Sequence, residues 1–170
     1  MHFIYEFCKW LQQTPVGTTI AESNWLFPAI ETVHIWGIIL LVGTTGVLDL
    51  RLLGLILPNQ RVSDLHHRLI RWTWTGFAVM LTTGSFMFVS EAAKMYGNGA
   101  FRFKMLFILL AGLNAFIFET TAFRNVAQWD DAPRTPIGAK IAACISLIAW
   151  VGVIFWGRWI AYCGGSWGCF

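Results

Sequence analysis

Charge is the scarcest commodity in this chain. Of 170 residues, twelve are Lys or Arg and nine are Asp or Glu, 12% in all, where a soluble domain carries about 25%. The net charge of +3 has no basic cluster behind it, which removes the electrostatic footprint that a nucleic-acid partner requires. Also missing are a Gly-rich phosphate loop, a nucleophile elbow, thiols paired at zinc spacing and any triad whose members share one depth. No catalytic residue is therefore assigned, and the enzyme reading is disfavoured. Internal repeats and low-complexity segments are absent too. The first residues lack a basic n-region, a long apolar core and a small-residue cleavage site, so they are not read as a signal peptide.

What the chain has in quantity is apolar surface. It is 56% hydrophobic and 16% aromatic, with ten Trp and fourteen Phe. That composition excludes disorder and points to lipid as the principal solvent. Charges punctuate the sequence and leave uncharged runs at 32–48, 72–90, 105–118 and 141–157. Crossing about 30 Å of hydrocarbon takes about 20 helical residues. Three runs nearly reach this length unaided; the third must take in Lys104, snorkelling, and Glu119, which then needs a partner. The predicted fold is all-α: an integral membrane up-down four-helix bundle over 28–163, with helices at 28–57, 64–94, 100–126 and 136–163.

Residues at the boundaries support these limits. Pro28 suits a first helical turn, Pro58 stops helix one, Ser63 can cap helix two, and Asn98-Gly99 reads as a turn before helix three. Thr135-Pro136 is an N-cap followed by a proline at the first helical position. Ahead of the bundle, 1–27 reads as interfacial: Phe3, Ile4, Phe7, Cys8 and Leu11 share one helical face, and Thr19 to Glu22 has capping-box spacing for a second short helix ending near Phe27. Residues 164–170 form a Gly- and Cys-rich tail, where Cys163 and Cys169 can either form a disulfide or stay reduced. Cys144 reads as packing.

Orientation follows from short-loop cations. Arg51, Arg61, Arg68, Arg71, Arg124, Arg134 and Lys140 lie on one side; Lys9, Lys94, Arg102, Lys104 and Arg158 lie on the other, with both termini. The bias places both termini outside the cytoplasm. Since lipid gives helices no hydrophobic reason to associate, small residues should mark the interfaces. The expected rows are Gly43 and Gly46 on helix one, Gly112 and Ala115 leading to Glu119 on helix three, and Gly138, Ala142, Ser146 and Ala149 on helix four.

Counting about 1.5 Å per residue sorts the polar residues into two layers. His34 lies near Met87, Met105 and Trp156 toward the outer face, while Asp49, Trp72, Glu119 and Cys144 lie toward the inner one. Around the inner layer stand Arg51, His67, Arg68, Arg71, Arg124 and Lys140. Asp49 and Glu119 can pair with these arginines and only satisfy charge, or they can form a proton relay, a substrate contact or a metal site. Of the two acids, Glu119 is expected to point into the bundle.

A four-helix membrane bundle with histidines suggests b-type haem. His34 and the His66-His67 pair, however, differ in level by about 30 Å, and adjacent histidines cannot clamp one iron. A His34 and Met87 pair on one iron, a haem shared between subunits, or copper held by His34, Met87 and Met105 remain open. So does the plain alternative that His34 satisfies a neighbouring carbonyl or hydroxyl and the methionines are packing.

The stretch Trp25-Leu-Phe-Pro-Ala-Ile-Glu-Thr-Val-His34-Ile-Trp-Gly, with Leu-Asp49-Leu-Arg51-Leu-Leu-Gly54, and then Phe103-Lys-Met-Leu-Phe-Ile-Leu-Leu-Ala-Gly-Leu-Asn114, resembles an uncharacterised family of small four-helix bacterial inner-membrane proteins. That family is loosely similar to the membrane region of copper-resistance D-type proteins. The resemblance implies a fold and a membrane address but no activity. It also implies that Glu119 stands where relatives often have histidine, so a candidate ligand is lost there. The reading that follows is an accessory or structural subunit of a membrane assembly, with the bilayer and other membrane subunits or further copies of itself as partners. The alternatives are a haem b or copper protein centred on His34, and a small transporter or proton carrier using Asp49 and Glu119.

Overall fold

The computed structural model describes residues 2–130 and 135–162. All regular structure among them is helical: α1 (His2–Gln12), α2 (Pro15–Glu22), α3 (Leu26–Leu53), α4 (Val62–Ser90), α5 (Ala92–Tyr96), α6 (Gly99–Thr120), a 3-10 segment (Phe123–Gln128) and α7 (Ile137–Trp159). Three helices, α3, α6 and α7, are long and apolar enough to cross a membrane. Helix α4 is 29 residues long; Asp64, Arg68 and Arg71 lie in its first ten residues, and the uncharged stretch after them is diluted by Trp72, Thr73, Trp74, Thr75, Thr82, Thr83 and Ser85, which keeps it out of that set.

Helix α3 packs on α4 and on α7, and α7 packs on α6. The α3–α4 pair is antiparallel, with His34 against Thr83, Leu41 against Gly76 and Thr44 against Thr73. Gly76 is what lets the backbones meet, since a Cβ there would lie 2.7 Å from the Leu41 amide nitrogen. Gly152 does the same for α7 against the Phe107 ring at 2.6 Å. The expected glycines do not serve this purpose: a Cβ on Gly43, Gly46, Gly112 or Gly138 would have nothing within 4 Å. The buried row of α7 is Ala139, Ala143, Ala149 and Val153, and that of α6 includes Ala111 and Phe118. On α6 the buried row is turned by one residue, about 100°, from the expected one, whereas on α7 the expected Ala149 is buried and Ala142 and Ser146 are half-buried, with Ala139 and Ala143 taking the place of Gly138. Two small-residue rows lie side by side on α7, and the one that buries is the one receiving Leu52, Val62 and Phe118.

Helix ends also differ from expectation. Helix α3 stops at Leu53, short of Pro58, because Gly54 takes a left-handed conformation (φ 80°) and the Leu55 amide bonds back to Leu50. The N-terminus of α4 is capped from afar: the Asp130 carboxylate accepts from the Val62 and Ser63 amides and from the Ser63 hydroxyl. Helix α2 begins earlier than the Thr19–Glu22 spacing suggests, with Thr14 accepting from the Gly17 amide and Pro15 in the first turn. Thr135 makes no cap; Pro136 holds that position with no side-chain bond. Helix α6 ends at Thr120, and a break at Glu91 separates α5 from α4.

Helices α1, α2 and α5 gather at one end of the molecule, called here the near end. The Ala93 amide donates to Gln12 Oε1, Tyr5 and Tyr96 rings lie 6.1 Å apart, and Asn98 Nδ2 donates to the Ile160 carbonyl at the end of α7. Cys8 is buried here, while Phe3, Phe7 and Trp10 face outward. The opposite, far end holds the main apolar cluster, built on Leu52, Val62, Phe118, Ala139 and Ala143.

Candidate functional site

Buried ionisable side chains inside the helical region fall into two layers, one toward each end, with the Thr44–Thr73 pair and Asn114 between them. In the near layer, His34 Nδ1 lies 2.8 Å from Thr83 Oγ1, and both residues are buried. Thr83 donates its only proton to the Val79 carbonyl at 2.6 Å. The hydroxyl must therefore accept from His34 Nδ1–H, which leaves Nε2 of the neutral ring with a free lone pair. Gly84 makes room for the ring: a Cβ there would be 3.4 Å from Cε1. Lys104 enters this layer from α6 and is a charge that acts on His34; its stem lies along Gly157 of α7. Met87 is half-buried one turn beyond Thr83 on the same face of α4, whereas Met105 is 47% exposed.

In the far layer the expected charge network separates into parts. Asp49 is buried with Ser146 of α7 nearby, and its Oδ2 has no partner among the described residues. Arg51 is also buried, and its Nε and Nη2 both donate to the Gln60 carbonyl, at 2.8 and 2.6 Å, so it pairs with neither acid. Glu119 meets a histidine instead: its Oε1 lies 2.7 Å from His66 Nε2, and its side chain is 43% exposed at the α4–α6 edge. His67, Arg68, Arg71 and Arg124 are all exposed and make no ion pair with Asp49 or Glu119.

His66 is the residue that the sequence reading passed over in favour of its neighbour. Its ring centroid lies 4.0 Å from that of Phe123, the planes tilted by 36°, and its Nδ1 is buried without a partner among the described residues. A signal was present. Val62, Leu65, His66 and Leu69 sit at helical spacing on one face of α4, which puts His66 inward and His67 outward. Among the described residues, no three His, Cys, Asp or Glu side chains come together to hold a metal ion. Cys163 and Cys169, with the tail at 164–170, lie outside the described residues.

The fourth side of the helical arrangement, between α4 and α6, is different from the other three. The two helices are not backed against each other along their lengths and meet through side chains, His66 with Glu119 at the far end and Phe88 stacked on Phe101 at the near end. Between these contacts, the same face of α4 carries Phe77 and Leu81, and the same face of α6 carries Met105, Gly112 and Ala115; all five are exposed.

Long apolar helices with outward-facing Ile, Leu, Phe and Trp, and with the buried ionisable groups in two interior layers, define an integral membrane protein. The chain belongs to a family of unknown function, DUF6644, which it matches over residues 11–163. No curated protein and no solved structure matches it.

Proposed function

We propose that the protein is a four-span subunit of a larger assembly in the bacterial inner membrane. In this reading α4 is the fourth span: it lies antiparallel to α3, and its Arg68 and Arg71 belong to the far, cytoplasmic surface together with Arg61 and Arg124. Both termini are then periplasmic, and α1 lies in the interface with Phe3, Phe7 and Trp10 toward lipid. The observation that carries the subunit role is the open α4–α6 side. Gly112 and Ala115, leading to Glu119, make a small-residue surface on which a membrane helix packs closely, and here it has no partner among the described residues. A photo-crosslinking residue at Phe77 is expected to yield one discrete heavier species in native membranes, and the same residue at Ile148, on the outer face of α7, none. A chain purified alone that turned over a quinone or other small substrate would overturn this role, as would equal crosslinking from both positions.

One observation favours a second reading, a redox or metal protein centred on His34. Thr83 fixes the ring and leaves Nε2 available as a ligand, with Met87 one turn away, while the exposed Met105 is the poorer third member. His66 is engaged with Glu119 at the other end, so no second histidine joins this layer from within the described chain. A Soret band after dithionite reduction, or one copper per chain, lost in His34→Ala, is the expected signature; neither signal from natively purified protein removes this reading.

A further inference from the structure

The far layer contains two orphaned polar atoms. Asp49 Oδ2 and His66 Nδ1 are both shielded from solvent and without a partner among the described residues, in residues each 7% exposed overall. An unpaired buried polar atom costs about 1–3 kcal/mol, more where no water competes, so two at one level need a reason. The register that sets Leu41 against Gly76 puts His66 level with Arg51, two residues and about 3 Å of rise from Asp49. His66 sits on the face of α4 between its α3-packed and α6-directed sides, and Asp49 meets Ser146 of α7, so both occupy the interior of the far end.

The geometry points to a proton-transfer site in which Glu119 passes protons from the far surface through the His66 imidazole to the buried Asp49 carboxylate. Glu119 is half-exposed and forms the entrance; the 2.7 Å contact to Nε2 is short enough for transfer. The balance is simple. Protonated Glu119 gives its proton to Nε2, and Nδ1–H leaves through intervening water for the Asp49 carboxylate. The imidazole ends neutral, with Nε2–H donating to the Glu119 carboxylate, and Asp49 ends as the neutral acid. One proton has moved inward and no net charge has been created. The orphaned Nδ1 and Oδ2 are the atoms this transfer needs to leave uncommitted. Of the other titratable and charged groups on the surrounding elements, Arg51 holds Gln60, His67, Arg68 and Arg71 on α4 and Arg124 on the 3-10 segment are exposed, and Lys140 lies half-buried in the first turn of α7.

Infrared difference spectroscopy of the full chain in lipid nanodiscs, stepped in pH, tests this. A carbonyl band from a protonated buried carboxyl group is expected, absent in Asp49→Asn. In Glu119→Gln, proton uptake at that band after a pH jump is expected to slow at least about tenfold, with the band itself retained. His66→Gln should slow it similarly, and Glu119, being half-exposed, supplies a variant that folds should His66→Gln not. A band that survives in Asp49→Asn, no band in the wild type, or uptake unchanged in Glu119→Gln would each overturn the proposal. These outcomes leave the subunit reading untouched, because crosslinking at Phe77 reports on the open side alone.

Discussion

The two polar layers solve the same problem in opposite ways. In the near layer, the His34–Thr83 relay is closed within the chain: Thr83 takes the Nδ1 proton and gives its own to Val79, and no solvent-shielded side-chain atom there lacks a partner among the described residues. In the far layer, Arg51 is satisfied by Gln60 and Glu119 by His66, yet Asp49 and His66 each keep an atom unpaired. Where the same apolar surroundings leave no shielded atom unpaired at one end, two such atoms at the other mark a site that has work to do with something outside the chain's own hydrogen bonds.

Three substitutions break or sharpen this contrast, and the largest effect should come from between the layers. Gly76→Val places a branched side chain against the Leu41 backbone and pushes α3 from α4, disturbing both layers at once. A loss of about 3 kcal/mol in a reversible unfolding titration in mixed micelles is expected. Next, Thr83→Val removes the acceptor of His34 Nδ1–H and leaves the near layer with its own orphan. The cost should be about 1–2 kcal/mol in the same titration, and the His34 ring should lose its single orientation by NMR. Smallest, and opposite in sign, Asp49→Asn in the far layer should leave stability unchanged or raise it by up to about 1 kcal/mol, because it replaces a buried acid whose oxygen is unpaired. Destabilisation by Asp49→Asn as large as that of Thr83→Val would erase the distinction between the layers.

Helix positions were legible because charge is costly in lipid and falls at the ends: the runs bounded by Glu31 and Asp49, Lys104 and Glu119, and Lys140 and Arg158 all lie inside helices of the structure. Facing was less legible. On α6 and α7 small residues occur at neighbouring positions, so Gly112 and Gly138 looked as suitable for packing as Ala111 and Ala139, and one-residue ambiguity means a rotation of 100°. The same rotation separates His66 from His67. Here periodicity with Val62, Leu65 and Leu69 did carry the answer, whereas the Asp130 cap on α4, 67 and 68 residues away in the chain, had no local trace.

From the sequence alone came the solvent of this protein, the positions of its long helices and the sorting of polar residues into two depths, since all three follow from transfer energies that act residue by residue. Only tertiary structure decided which face of each helix is buried, that Glu119 pairs with His66 and not with an arginine, and that the α4–α6 side stays open. Those outcomes depend on how Phe107, Phe118 and Leu52 fill the space between helices and on which glycines let backbones touch. Packing is a property of pairs of surfaces, and a pattern along one helix does not specify what stands opposite it.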